Sequence, residues 1–454
     1  WQPHQDDGCS IYLPDEDLID AYKSVNNFNS RNYDVGVGNY TDPVCGGIDQ
    51  SYTINNKERG RFHATFSCNR EDKTATMIDT GVCDANQVAY VVVPATIVTD
   101  GVVYKVTKIG KLPPKDAYVE GFDFTQAANL TTIEDRAFEH WNFESGNNEC
   151  RTVWDFTNTK LEYIGAHAFD NSMDSNSGGG NAINFIKFPS TIKHIGNDAF
   201  GQDGATDPKT DQIIFTTADV DAINNITFGE RWQPHKDGDK STVYVPKQEL
   251  IDVYKSRANF NPHGFAIGDG YWEKCGDVNT RFHCNEEDHT ATIIGCNDND
   301  GILAVPPSIN VNGIPYKVTA IAELPVKERV EGFNFCQATN LKTIAPHALE
   351  HWSLVGRYCN FDFSNTQLEE IGEKAFDNAM ATGSSKNLID IIKFPKTIKK
   401  IGKEAFGQTG SADPKTDWIV FSTTDESAIK AIEFGSKWQP HDDDDCTIYV
   451  PSDN

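Results

Sequence analysis

The fifteen residues from Ile186 to Phe200, IKFPSTIKHIGNDAF, decide the fold of this 454-residue chain. They return 206 residues later as IKFPKTIKKIGKEAF, from Ile392 to Phe406. Each copy holds an apolar alternation that stops at Phe-Pro, and then an Ile-Gly pair followed by Ala-Phe. An alternation bounded by Pro is typical of a half-buried strand. Because the phrase recurs, we predict stacked coils of similar structure rather than a single globule.

The strand signal recurs at a short, regular interval within each long repeat. Every occurrence ends in a bulky apolar residue, 27 to 32 residues after the previous one, which is the length of one solenoid coil. These residues are Val93, Phe124, Phe156, Phe188, Phe215 and Val245 in the first half, and Val305, Phe335, Phe363, Phe394, Phe421 and Val450 in the second.

Stacking explains why these side chains recur. One coil cannot bury its own Phe and Ile, whereas neighbouring coils bury each other's at roughly 1.5–3 kcal/mol per side chain. The Gly after Ile is expected to allow a tight turn where a β-carbon would clash, and the five-residue interval from Ile to Phe suits one turn of helix.

Composition excludes several classes of function. A net charge of -27 repels phosphate backbones, so we expect no nucleic-acid partner. The sequence contains no apolar run long enough to span a membrane. Eleven cysteines are too few for a disulfide scaffold in a chain of this length.

The phrases with Ile-Gly, Ala-Phe and strand-Pro resemble those of the BspA-like leucine-rich-repeat surface proteins. Residues 66–76 and 282–292 resemble the hairpins that open such arrays, and residues 244–254 and 12–22 resemble the strand and helix that close them. The resemblance implies an α/β solenoid, with short strands on one face and short helices or turns on the other, in tandem modules each opened by a β-hairpin. It also implies a cell-surface or extracellular location and no catalytic site.

The resemblance sets the domain organisation. We predict a closing segment of a preceding module and a linker at residues 1–44, one module at 45–265, and a second, homologous module at 266–454. Since residues 1 to about 29 resemble a closing piece, we also expect the chain to belong to a longer protein.

Strand alternation yields the candidate binding residues. If the residue before Pro is buried, the residue before it is exposed on the face that solenoids present to ligands. The alternative is that linkers or a neighbouring unit cover this face. The candidate ligand-binding residues are Phe185, Ile214, Tyr244, Ile391, Trp418, Val420 and Tyr449.

No pattern indicates catalysis or a cofactor. The chain has no Gly-x-Ser-x-Gly elbow, and the acidic phrases at 4–7, 235–239 and 441–445 lack the spacing of a calcium loop. We therefore predict no catalytic residues, no metal and no cofactor, in a monomeric, non-catalytic scaffold that captures an extracellular protein or glycan. A passive spacer and a glycan-active enzyme are the alternatives.

Overall fold

A computed structural model describes most of the chain. The described residues are 10–13, 24–25, 34–37, 46–54, 57–82, 89–99, 101–113, 119–141, 143, 152–172, 183–201, 207, 210–234, 241–296, 301–311, 314–325, 330–352, 354, 361–379, 389–407, 413, 415–440 and 446–451. The chain divides into two compact units, Trp1–Gly268 (unit 1) and Asp269–Asn454 (unit 2). The module boundaries predicted from the sequence stay a prediction.

Unit 1 is built from strands that form two main layers. Its strands are β1 (Ser10–Leu13), β2 (Asp34–Val37), β3 (Gly46–Ile54), β4 (Lys57–Asn69), β5 (Thr74–Val82), β6 (Ala89–Val92), β7 (Thr96–Thr99), β8 (Val102–Ile109), β9 (Val119–Asp123), β10 (Thr132–Ile133), β11 (Thr152–Asp155), β12 (Tyr163–Ile164), β13 (Ile183–Phe188), β14 (His194–Ile195), β15 (Thr210–Phe215), β16 (Thr227–Phe228), β17 (Thr242–Val245) and β18 (Ala266–Asp269).

The two layers of unit 1 have different strand lengths. The front sheet runs β11-β13-β15-β17-β18, with parallel pairing between successive coils. The back sheet runs β16-β14-β12-β10-β8-β5-β4-β3, with β7 beside β8. Its strands β10, β12, β14 and β16 have two residues each and extend the sheet from the longer strands of the opening hairpin. β6 pairs with β9 and β1 pairs with β2, both in parallel.

Unit 2 repeats this plan. Its strands are β19 (Tyr271–Cys275), β20 (Val278–Asn285), β21 (Thr290–Cys296), β22 (Ile302–Ala304), β23 (Ser308–Val311), β24 (Ile314–Ile321), β25 (Gly332–Asn334), β26 (Thr343–Ile344), β27 (Phe361–Asp362), β28 (Glu370–Ile371), β29 (Ile389–Phe394), β30 (Lys400–Ile401), β31 (Thr416–Phe421), β32 (Glu433–Phe434) and β33 (Thr447–Tyr449). The front sheet runs β27-β29-β31-β33, the back sheet runs β19-β20-β21-β24-β26-β28-β30-β32 with β23 beside β24, and β22 pairs with β25.

The solenoid is formed by β-strands and has little helix, so the expected α/β class and the layer of helices are wrong. In the described residues the helices are α1 (Val220–Asn224), α2 (Ile251–Lys255), α3 (Glu426–Lys430) and a 3-10 turn at Gln248–Leu250.

The Ala-Phe phrases form turns instead of helices, because their backbone bonds run between coils. Phe169 N–H donates to Ala199 O at 2.7 Å, and Phe376 N–H donates to Ala405 O at 2.8 Å. The residue before each Ala also has positive φ, as at His167 (55°), which a right-handed helix does not allow. The Ala-Phe spacing fits this turn as well as it fits a helix.

Each unit has a continuous core between its two sheets, as predicted. Phe188 and Phe215 are register partners on β13 and β15, with ring centroids 5.0 Å apart. Phe394 and Phe421 repeat this contact at 4.9 Å in unit 2. The predicted stacking of Phe from successive coils is therefore confirmed at these positions.

Candidate functional site

Four of the predicted binding residues come together on the outer face of the unit 2 front sheet. Ile391 on β29 pairs with Trp418 on β31, and Val420 on β31 pairs with Tyr449 on β33. Trp418 is 49% exposed and Tyr449 is 51% exposed, whereas Ile391 and Val420 are half-buried. We call these four residues the unit 2 patch. Two large aromatic side chains exposed on neighbouring strands form a firm apolar surface.

An ion pair on the same sheet adjoins this patch. Lys393, the neighbour of Val420 in the sheet, donates from Nζ to Asp362 Oδ2 at 2.9 Å. Burial raises the pKa of Asp362, but hydrogen bonds from Ser364 and Lys393 outweigh it and lower the pKa overall. The carboxylate therefore stays ionised and holds the Lys393 side chain beside the patch.

Unit 1 does not present the matching surface. Phe185 is 2% exposed and Ile214 is 1% exposed, and neither belongs to the core between the sheets. Lys187 is also buried, and Tyr244 is half-buried. The prediction that Phe185 and Ile214 are exposed is wrong. Alternation determines the side of a sheet to which a residue points, but it does not determine whether that side is covered.

A second exposed cluster lies on the unit 1 back sheet, at positions the sequence analysis did not single out. The rings of Tyr163 and His194 stack with centroids 4.8 Å apart and an interplanar angle of 16°. Tyr163 Oη donates to Asp135 Oδ1 at 3.3 Å, and His194 Nδ1 lies 2.7 Å from Thr227 Oγ1. Tyr163, His194 and Thr227 directly precede the buried Ile or Phe of β12, β14 and β16, so alternation could have located them.

In unit 2 the same positions carry opposite charges. Lys400 replaces His194 and Glu370 replaces Tyr163, and Lys400 Nζ donates to Glu370 Oε1 at 2.6 Å. The flanking pair Lys399–Glu369 is common to both units, since Lys193 and Glu162 form it in unit 1. The carboxylate of Glu370 raises the pKa of Lys400. Exposed pairs of this kind add little stability. The back sheets of the two units therefore differ in surface chemistry although their backbones match.

The Tyr163–His194 stack makes unit 1 sensitive to acid. Burial lowers the pKa of His194 below its ordinary value of 6.5, and Asp135 only partly opposes this shift. The unfolded chain then binds the proton more tightly, so the free energy of unfolding falls as the pH drops below about 6.5. We expect a proton NMR titration to give His194 a pKa below 6.5, and His194→Gln to remove part of the acid-induced loss. A measured pKa at or above 6.5 would contradict this prediction.

The described residues contain neither a metal-binding cluster nor a helix able to cross a membrane. Among them, no group of three or more His, Cys, Asp or Glu side chains converges to hold a metal ion. The acidic phrases at 4–7, 235–239 and 441–445 lie outside the described residues. No described helix has both the length and the apolar character needed to cross a bilayer.

Each unit consists of stacked coils with a front sheet of parallel strands. In the back sheet, short strands end at the Ile of each Ile-Gly pair. This arrangement is a leucine-rich-repeat solenoid. The BspA-type leucine-rich-repeat model matches residues 117–204 and 328–414, in six copies. Residues 117–204 and 328–414 are therefore BspA-type leucine-rich repeats. Proteins of this family are in general non-enzymatic.

Solved structures with some similarity to the chain are all distant. The pneumococcal vaccine antigen PcpA is 13% identical, with 89% of this chain and 99% of that chain covered and a TM-score of 0.25. A leucine-rich cell surface protein from Faecalibacterium prausnitzii is 13% identical, with coverages of 86% and 98% and a TM-score of 0.18. A leucine-rich-repeat protein from Bacteroides ovatus is 12% identical, with coverages of 86% and 98% and a TM-score of 0.20. A search of curated proteins found no match.

Proposed function

We propose that this chain is a non-catalytic binding scaffold, located at the cell surface or outside the cell, that captures an extracellular protein or glycan through the unit 2 patch. The observation that carries the proposal is the half-exposure of Trp418 and Tyr449 on adjacent strands of a rigid sheet. The surface and extracellular location follows from the family resemblance.

The patch has the features of a binding hot spot. Trp and Tyr provide large contact area, and they lose little rotamer entropy because each has only two side-chain torsions. The backbone beneath them is fixed by parallel pairing from Ile391 to Tyr449. With a net charge of -27 the chain disfavours strongly anionic ligands, so a neutral glycan or a protein with an apolar or basic surface fits best.

A screen of the purified chain against glycans and extracellular-matrix proteins tests the proposal. For any ligand found, Trp418→Ala with Tyr449→Ala is expected to weaken binding by at least about 30-fold, because even a single hot-spot side chain contributes about 2 kcal/mol or more. The thermal midpoint should barely change, since both side chains are half-exposed. Tyr163→Ala removes an exposed aromatic from a different sheet and is the matched control, with binding retained. If the patch variant and Tyr163→Ala lost affinity for the ligand equally, the unit 2 patch would not be the binding site.

A passive spacer is the second candidate, and the covered Phe185 and Ile214 favour it for unit 1. As a spacer, the chain would bind none of the screened ligands, and the patch variants would change nothing. A glycan-active enzyme would instead release new reducing ends from mixed polysaccharides, and their absence would remove that alternative.

A further inference from the structure

The outer face of the unit 1 back sheet has a notch beside the ring of Tyr163. Strands β10, β12 and β14 place Thr132, Tyr163 and His194 side by side in parallel register on this face. One face of the Tyr163 ring stacks on His194, so the other face is turned toward β10, where its register partner is the small Thr132. A flat group from outside can therefore stack on the open face of this ring.

The carboxylate of Asp135, just after β10, lies on the same side of the Tyr163 ring. Its Oδ1 atom accepts from Ala166 N–H at 2.9 Å and from Tyr163 Oη at 3.3 Å. Gly165 makes room for this oxygen, because a β-carbon there would lie 2.3 Å from it. Oδ2 accepts no hydrogen bond from any residue that the structure describes, and the Asp135 side chain is exposed. One oxygen therefore orients the carboxylate, and the other is open to a donor from outside.

Cationic side chains adjacent to the notch are already paired with other carboxylates. Lys193 Nζ lies 2.9 Å from Glu162 Oε1, and Arg136 donates to Glu139. Within the described part of unit 1, Asp135 forms no ion pair. Its negative charge is therefore available to a cation that another molecule supplies.

Unit 2 has its own cation at the equivalent place on its back sheet. Lys400 donates to Glu370 there, and Pro346 stands where unit 1 has Asp135. At the position of Lys400, unit 1 has His194, whose pKa is lowered by burial, so its ring is mainly neutral at pH 7. On matching backbones, unit 2 thus pairs its charges internally, whereas unit 1 presents a carboxylate and an open aromatic face.

We propose that the notch of unit 1 binds an arginine side chain of a protein partner, with the guanidinium stacked on Tyr163 and donating to Asp135 Oδ2. A guanidinium fits better than an ammonium because it is flat, is weakly hydrated and donates from a fork. The net charge of -27 also attracts a basic partner. This site is separate from the unit 2 patch, so a ligand of the patch keeps its affinity when Tyr163 is replaced.

An NMR titration of the full chain, labelled with ¹³C in its histidine rings, tests the site with the peptide acetyl-Gly-Arg-Gly-amide. The His194 ring signal, assigned by comparison with His194→Gln, should shift saturably with a Kd on the order of 10 mM or below. The same peptide with citrulline in place of arginine keeps the shape but lacks the charge, and it should cause no saturable shift. Raising the salt from about 20 mM to about 200 mM should weaken binding of the arginine peptide, because this exposed pair is screened. Absence of a saturable shift with the arginine peptide would overturn the proposal.

Two variants then identify the groups that make the contact. Asp135→Asn keeps an oxygen for Ala166 N–H but removes the charge, and Thr132→Leu places a bulky side chain against the open face of Tyr163. Each should raise the Kd of the arginine peptide at least about fivefold, whereas Trp418→Ala should leave it unchanged. An unchanged Kd in Asp135→Asn, or a citrulline or lysine peptide that binds as tightly as the arginine peptide, would contradict the assignment to a guanidinium. Saturable shifts with methyl glucoside and none with the arginine peptide would make the notch a sugar-binding surface, and the proposal would be wrong.

Discussion

Phe188→Ala should lower the free energy of unfolding of unit 1 by about 3–5 kcal/mol, the range measured for buried Phe to Ala changes. Phe188 is fully buried, and its ring lies 5.0 Å from Phe215 and 6.2 Å from Phe200. Phe156 flanks it at 6.4 Å on the preceding coil. Removing the Phe188 ring would therefore leave a cavity in the middle of the aromatic stack, and the side chains of both neighbouring coils would lose packing contacts. Urea unfolding followed by tryptophan fluorescence measures the change.

Trp418→Ala is the matched control for this prediction, because it removes a larger aromatic side chain from an exposed position. Its cost should stay within about 0.5 kcal/mol, as for most surface substitutions. If Phe188→Ala cost less than about 1 kcal/mol, neighbouring coils would not depend on one another for burial, and the stacked-core account would be wrong.

The aromatic stack could be predicted from the sequence because two independent patterns specify it. A bulky residue recurs at the strand end of each coil, and an Ile-Gly pair recurs once per coil as well. Because both patterns repeat with the coil, stacking the coils buries both sets of side chains in one interior. Val450 is the exception, since it occupies a strand-end position yet is 71% exposed. Its environment depends on what covers the last coil, and the strand pattern does not contain that information.

Two other features could not be predicted, for different physical reasons. The five-residue interval from Ile to Phe fits a turn of helix. The positive φ of residues such as Asp198 (50°) instead turns the backbone so that its hydrogen bonds are made to the next coil. The outer face of a sheet is specified by alternation, but alternation does not specify whether that face is covered. Phe185 and Trp418 both point outward, yet only Trp418 is exposed.

At the Gly after Ile, the expected clash of a β-carbon is confirmed, but the expected tight turn is not the reason for it. These glycines do not have the positive φ of a tight turn; they lie directly against the backbone of the preceding coil. A β-carbon on Gly402 would lie 2.4 Å from Glu373 N and 2.5 Å from the carbonyl carbon of Gly372. Gly402 N–H also donates to Ile371 O at 2.8 Å, so the two coils are held together at this point.

Gly402→Ala should therefore destabilise unit 2 by about 3 kcal/mol or more, at the upper end of overpacking costs, because the clash is with backbone and no side chain can rotate away. Relief would require the coils to separate, which lengthens the Gly402–Ile371 hydrogen bond and opens the core beneath Ile401. Gly295→Ala is the control in the same unit, since its β-carbon would meet only the flexible Arg281 side chain at 3.3 Å. For the Gly402→Ala variant, the free energy of unfolding measured in urea should be well below that of the parent and of the control. Equal stability of the two variants would show that the coils can separate at little cost, and the Ile-Gly phrase would then need another explanation.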